Sequence, residues 1–392
     1  MTNSTRINQR LSKTVQSIQP SGIRRFFDLA STMDNIISLG VGEPDFVTPW
    51  NIREAAFSSM ERGFTAYTAN AGLLELREEI SKYMSQEFSL HYSPASEVLV
   101  TVGASEAIDI AIRSLVDPGD EVIVVEPTFV SYAPIVSLAG GVPVSVGTKK
   151  EDSFKLTPAQ LEAAITPKTK LVMLCFPNNP TGAVMTKEEL ELISHVIKKH
   201  DLLVLSDEIY AELSYDTSHY SIARLPDMRE RTVVISGFSK AFAMTGWRLG
   251  FTLAPEDITA AMLKIHQYTM MCASTPAQYG ALEALQNGLA DVKKMVQSYH
   301  QRRNFIVKSF AEIGLPCHTP GGAFYAFPSI KNTGFDSGEF AEKLLLEQRV
   351  AVVPGDVFGA GGEGHIRCSY ATSMENLEES VRRIGQFLEK HC

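Results

Sequence analysis

Cysteine is scarce in this chain and nowhere paired in sequence. The five cysteines stand at 175, 272, 317, 368 and 392. They are odd in number, far apart and without a Cys-x-x-Cys pair, which excludes a zinc knuckle and a disulfide framework. Cys175 lies in the apolar run 171–176 and reads as core; Cys392 reads as exposed and oxidisable. Histidine is thinly spread too. His195 and His200 fall on one polar helix at a spacing that gives no shared metal face, so both read as solvated and no metal is expected. Positive charge is in deficit, with 36 Lys and Arg against 45 Asp and Glu and a net charge of −9. That balance disfavours nucleic acid and anionic membranes as partners. No apolar run approaches the roughly 20 residues of a membrane span. The start, Met1 to Arg6, is polar and lacks the apolar core of a signal peptide, so the expected location is cytoplasmic. Internal repeats and low-complexity segments are also missing.

An ordinary globular composition remains, 44% apolar and 21% charged, in 392 residues, enough for two or three domains. From about 95 to 255 apolar runs alternate with helical stretches. Strands are expected at 98–102, 121–125, 142–146, 170–176, 202–206, 232–236 and 249–253. Several are unbroken Val/Ile/Leu runs, the mark of strands buried on both faces in a mostly parallel sheet. Helices are expected at 106–115, 129–139 and 187–199, the last opening with the capping box Thr186-x-x-Glu189. Residues 255–319 read as one long helix or a broken pair. Beyond them, strands at 323–328, 351–354 and 365–370 and helices at 339–347 and 374–390 describe a smaller α+β domain. The fold class is α/β: a seven-stranded, mostly parallel sheet flanked by helices, plus that smaller domain. The division expected is 1–45 as an arm with part of the small domain, 46–287 as the large domain and 288–392 as the C-terminal small domain.

In an open α/β sheet, ligands bind outside the carboxyl ends of the strands. Chemistry-bearing residues gather there in this sequence. Strand 232–236 leads to Ser239-Lys240, with Arg248 eight residues on. A lysine after a buried strand is costly as an unpaired ammonium and useful as a neutral amine or an imine-forming group. Arg248 offers a forked cation to an anion. Strand 98–102 ends in Gly103-Ala104-Ser105, where a helix start leaves N–H groups free for a phosphate. Strand 170–176 ends at Asn178-Asn179-Pro180, and strand 202–206 at Asp207-Glu208-Ile209-Tyr210. A phosphate cradle, an amide, a carboxylate with a tyrosine, and an amine with an arginine suit a phosphorylated aromatic aldehyde. Singly, Asp207 and Asn179 would pass for turn residues, Tyr67 and Phe129 for core aromatics, and Lys240 for a solvated loop lysine. Their joint order carries the reading.

From Gly42-Glu43-Pro44-Asp45-Phe46 to Arg367, including the whole segment Ser236 to Gly250, the chain resembles the class I/II aminotransferases. These are pyridoxal-phosphate enzymes with the aspartate aminotransferase fold, and the likeness is greatest to bacterial aspartate and alanine aminotransferases. The resemblance implies that Lys240 forms the Schiff base with pyridoxal 5'-phosphate and transfers the proton. Asp207 pairs with the pyridine nitrogen, and Tyr210 and Asn179 bond the phenolic oxygen. Arg248, Ser105, Ser239 and the Ala104 amide hold the phosphate, and Phe129 stacks on the ring. Arg367 binds the substrate α-carboxylate beside Gly42 and Asn179. Tyr67 reaches the phosphate of a second subunit, which implies a homodimer with shared active sites. Two departures bear on specificity: Phe129 stands where many members carry Trp or Tyr, and no arginine matches the one that grips a distal carboxylate.

The function expected is ping-pong transfer of an amino group between an L-amino acid (alanine, aspartate or aromatic) and a 2-oxo acid such as 2-oxoglutarate, in amino acid metabolism and biosynthesis. Ile23, Arg24 and Arg25 are candidates to line the side-chain pocket. A pyridoxal-phosphate lyase on the same fold is the alternative. Two rivals come from other classes. Gly359-Ala360-Gly361-Gly362-Glu363-Gly364 fits the Gly-x-Gly-x-x-Gly dinucleotide fingerprint, which requires a helix next. Ser105, Asp207 and His365 occur in the chain order of an α/β-hydrolase triad.

Overall fold

The computed structural model describes residues 10–20, 22 and 33–392. Seven strands form one sheet in the order Val98–Thr101, Gly250–Leu253, Thr232–Gly237, Leu203–Asp207, Thr169–Cys175, Glu121–Glu126, Val142–Gly147. Only Gly250–Leu253 runs against its neighbours; all other pairs are parallel. This is the seven-stranded, mostly parallel sheet expected. The unbroken apolar runs have a direct cause. Ile123, Val125, Val172, Leu174 and Val204 pack on one face with Leu190, Ile193 and Ile197. The alternate residues Val122, Val124, Leu171, Met173 and Leu205 pack on the other with Ala107, Ile108 and Ala111. Each buried Val, Leu or Ile stabilises by roughly 1.5–3 kcal/mol. Val142–Gly147 is the edge strand and is largely exposed, so Pro143 forfeits no ladder bond on a central strand.

Helix Lys187–Lys199 carries the expected capping box in both halves. Past its end, His200 corrects the reading of a solvated residue: its Nε2 lies 2.8 Å from Glu162 Oε1. His195 is exposed. The 129–139 stretch becomes helical only over Tyr132–Leu138, with Pro134 held in its first turn, where a missing N–H costs little. The 255–319 region is three helices, Glu256–Thr269, Thr275–Asn287 and Leu289–Glu312. Pro276 sits in the first turn of the second, and Gly288 separates the second from the third. Helices Trp50–Glu61, Leu74–Phe88 and Pro158–Ala164 were not anticipated.

Near the C-terminus, Val353–Pro354, Ile366–Ser369 and Tyr325–Ala326 form an antiparallel sheet in that order. Helices Ser337–Gln348 and Met374–His391 pack against this region. Ile37–Ser38 pairs in parallel with Val350–Ala351, so an early segment joins the late one. The 359–364 glycine run is a short 3-10 turn, Ala360–Gly362, followed by strand Ile366–Ser369. The helix required of a dinucleotide fingerprint does not follow. Among the described residues no helix is long and apolar enough to cross a membrane.

Candidate active site

The carboxyl ends of the parallel strands open on one cavity of about 650 Å³. Eleven of the residues singled out in the sequence line it: Gly42, Ala104, Ser105, Phe129, Asn179, Asp207, Tyr210, Ser239, Lys240, Arg248 and Arg367. The twelfth, Tyr67, does not; it is 79% exposed on the outside of the subunit. Ile23, Arg24 and Arg25 lie outside the described residues.

Lys240 stands a short turn beyond strand Thr232–Gly237. Its Nζ donates to the Gly42 carbonyl at 2.7 Å. Withdrawal from water lowers its pKa from 10.5 to about 8; Glu43 opposes the shift, and the charges of Arg367 and Arg248 add to it. A large neutral fraction near pH 8 is what a nucleophilic or proton-carrying amine needs.

Asp207 ends its strand in register with Cys175 and Ile235 and is 4% exposed. Tyr132 Oη donates to its Oδ2 at 2.6 Å, and the Ile209 N–H donates to its Oδ1 at 3.2 Å. Burial raises the Asp207 pKa to about 6 despite these two bonds. Lys240 favours its charge only from a distance and no ion pair to it forms among the described residues, so a protonated nitrogen would supply a direct partner. Burial, then the charge of Asp207, pushes the neighbouring Cys175 thiol up to about 12, so it stays a neutral wall residue. Tyr132 was missed in the sequence; its one signal is the three-residue step from Phe129, whose ring meets it edge-on at 5.7 Å.

The opposite end of the cavity is built for an anion. Helix Gly103–Leu115 opens with three small residues, and its first-turn N–H groups have no partner within the helix. Gly103 has φ +78, and a Cβ there would collide with the Arg248 guanidinium. A Cβ on Gly250 would stand 2.7 Å from the Ala104 nitrogen. Both glycines leave room for the turn to lie close to Arg248. Arg248 itself bends back with φ 53, its Nη1 donating to the Thr245 carbonyl at 2.9 Å.

Arg367, on strand Ile366–Ser369, is 4% exposed. Its Nη1 donates to Asn179 Oδ1 at 2.8 Å and its Nη2 to the Gly40 carbonyl at 2.7 Å. The guanidinium lies between the rings of Tyr325 at 4.5 Å and Phe358 at 4.8 Å. Its Nε is buried without a partner, while the residue itself lines the cavity and brings a fixed positive charge to that wall. Tyr325, also missed in the sequence, shares a 2.8 Å hydroxyl contact with Tyr210. Nothing local marks it, because the contact joins residues 115 positions apart.

The hydrolase triad does not assemble. His365 is absent from the cavity wall and stacks on Phe327 at 5.0 Å, while Asp207 is held by a tyrosine and a backbone amide. Among the described residues no cluster of three or more His, Cys, Asp and Glu is arranged to hold a metal.

A phosphorylated pyridine aldehyde fits this donor set. Free N–H groups and Arg248 stand at one end and an unpaired buried carboxylate at the other, with an amine and an aromatic ring on the same wall. Comparison with known proteins agrees. The family described as "Aminotransferase class I and II" matches residues 34–384. The chain is 64% identical to YugH of Bacillus subtilis (strain 168), over 97% of this chain and 98% of that protein. It is 45% identical to an aspartate aminotransferase of Pyrococcus abyssi, over 97% and 98%. The solved aromatic aminotransferase of Pyrococcus horikoshii OT3 superposes with a TM-score of 0.90 at 45% identity, covering 93% of this chain and 99% of that one. The chain belongs to the class I and II aminotransferase family, enzymes of transamination that depend on pyridoxal phosphate.

Proposed function

We propose that the protein moves an amino group from an L-amino acid to a 2-oxo acid in two half-reactions that take turns at one site. The observation that carries this reading is the Lys240 amine, lowered to about 8 and held by the Gly42 carbonyl, in one cavity with Asp207 and Arg367. When bound, pyridoxal phosphate supplies an aldehyde for the substrate amine and a ring that draws electrons from Cα. Asp207 holds the proton on the ring nitrogen. Tyr210 and Asn179 would bond the phenolic oxygen; Asn179 Oδ1 is occupied by Arg367, which leaves its N–H groups to donate. The Ala104 and Ser105 turn, Ser239 and Arg248 hold the phosphate, and Phe129 covers the ring. Arg367 would take the substrate α-carboxylate beside Gly42 with the charge of its guanidinium. Lys240 Nζ takes the proton from the substrate Cα.

Alanine, aspartate or an aromatic amino acid is the donor, and 2-oxoglutarate the acceptor. Relatives of equal identity are named for aspartate and for aromatic substrates, and the cationic side chains on the described cavity wall are Lys240, Arg248 and Arg367. All three have duties above, so on the described wall the distal carboxylate of aspartate or 2-oxoglutarate meets neutral donors only. Mixing the holoenzyme with each amino acid alone tests the reading. The expected result is a shift of the bound chromophore to the aminated form with one equivalent of 2-oxo acid released. Release of ammonia without amination of the cofactor would overturn it in favour of a lyase. In the same assay Arg367→Ala raises KM about 10- to 100-fold, the worth of a hydrogen bond to a charged group.

Three wider proposals go with this reading. The working unit is a homodimer in which Tyr67 completes the partner's phosphate site. Tyr67, Tyr268 and Met271 are 79%, 86% and 48% exposed, and Asn70 Nδ2 donates to the Met271 carbonyl at 2.6 Å, which joins their two loops into one patch. Exposed apolar patches of this kind mark interfaces. Sedimentation is expected to give twice the 43.1 kDa chain mass; a lone 43.1 kDa species with full activity would refute it. The large domain spans 46–287, with 1–45 and 288–392 forming the arm and small domain, as the pairing of Ile37–Ser38 with Val350–Ala351 supports. Five unpaired cysteines, Cys392 exposed among them, suit the reducing cytoplasm.

A further inference from the structure

Helix Gly103–Leu115 opens without an ordinary cap. Its N-cap residue is Val102, and no side-chain cap bond forms. Helix starts are usually capped by Ser, Thr, Asp or Asn, and here such a cap would consume an N–H that the anion end of the cavity needs. The turn is fixed from behind. Glu106 Oε2 accepts the Val102 N–H at 2.5 Å, so it ties down the N-cap backbone from one position beyond that of a capping box and blocks no first-turn N–H. Glu106 Oε1 in turn lies 2.6 Å from Nδ1 of His266, on helix Glu256–Thr269. The carboxylate accepts, so Nδ1 carries the hydrogen, and His266 Nε2 is buried without a partner. His266 is fully buried and Glu106 8% exposed.

Stability does not account for this pair. Buried polar pairs are weak evidence for stability, and this one also leaves an unmet nitrogen. A carboxylate in the first turn would also compete with a bound phosphate for the positive end of the helix. The His266 contact holds Glu106 on Val102, one residue before the turn that faces Arg248.

We infer that His266, acting through Glu106, is a positioning residue for the phosphate end of the site: the pair sets the Val102–Ser105 turn so that its free N–H groups and Arg248 address one anion. The inference rests on the reading of the cavity given under Proposed function. The full-length protein, stripped of cofactor, is titrated with pyridoxal phosphate and separately with pyridoxal, which lacks the phosphate. His266→Leu is expected to weaken pyridoxal phosphate binding about tenfold or more, the loss of a hydrogen bond to a charged group, and to leave pyridoxal binding unchanged. His266→Asn, which returns an N–H near the position of Nδ1, restores the affinity. If His266→Leu does not fold, His266→Phe, closer to imidazole in shape, carries the same test. Equal loss for both ligands, or loss for neither, would show a merely structural pair and overturn the inference. A wild-type protein that takes up neither ligand would instead overturn the reading of the cavity itself, and this inference with it.

Discussion

Lys240→Ala is expected to slow turnover by about 10⁴-fold, the upper end of what one proton-transferring group contributes. Two features place it there. The amine is tuned by burial and neighbouring charge to about 8, and it is the lysine on the cavity wall. The variant should still bind the cofactor, since the Ala104–Ser105 turn, Arg248 and Asp207 remain. Steady-state rates at saturating pyridoxal phosphate measure the loss. High concentrations of a small amine such as methylamine should return part of it, because the missing function is proton transfer and not shape. Full activity without added amine would remove Lys240 from the mechanism.

Asp207→Ala is expected to lower kcat by about 10³-fold, near the top of the range for removing one preorganised charged group. The carboxylate is buried and bonded by Tyr132 and Ile209, with its pKa raised to about 6. A charge kept in such a place at such a cost is strongly responsive to a proton brought beside it. Asp207→Asn keeps the shape and loses the charge, so it should fall nearly as far. Tyr132→Phe removes one supporting bond and should lose far less. Rates within about threefold of wild type for Asp207→Asn would show that the residue holds shape and not a ring proton.

The sheet was legible because its strands are buried on both faces. Val172 and Leu174 feed one core and Leu171 and Met173 the other, so the sequence shows no polar gap. The site was legible because its residues follow strand ends, where position along the chain translates into position in space. Asp207 is read from the end of its own strand; Tyr132, which holds it, comes from a different crossover 75 positions earlier. Tyr325 and His266 were invisible for the same reason: each matters through a partner 115 or 160 positions away. The 255–319 stretch, read as one long helix or a broken pair, has two breaks, at 270–274 and 288, whose boundaries Pro276 and Gly288 mark. Tyr67 differs in kind. Its side chain is 79% exposed and takes no part in the cavity wall.

The early segment around 37–42 connects the two halves of the enzyme at its centre. Ile37 and Ser38 extend the ladder of Val350–Ala351, and the Ser369 N–H donates to the Leu39 carbonyl at 2.6 Å. The next carbonyls turn the other way, Gly40 to Arg367 and Gly42 to Lys240. One strip of backbone therefore acts as a rein: sewn to the C-terminal sheet along one edge, it holds the Arg367 guanidinium and the Lys240 amine by carbonyls two residues apart. The spacing between the Arg367 guanidinium and the Lys240 amine is thereby tied to three residues of main chain, Gly40 to Gly42.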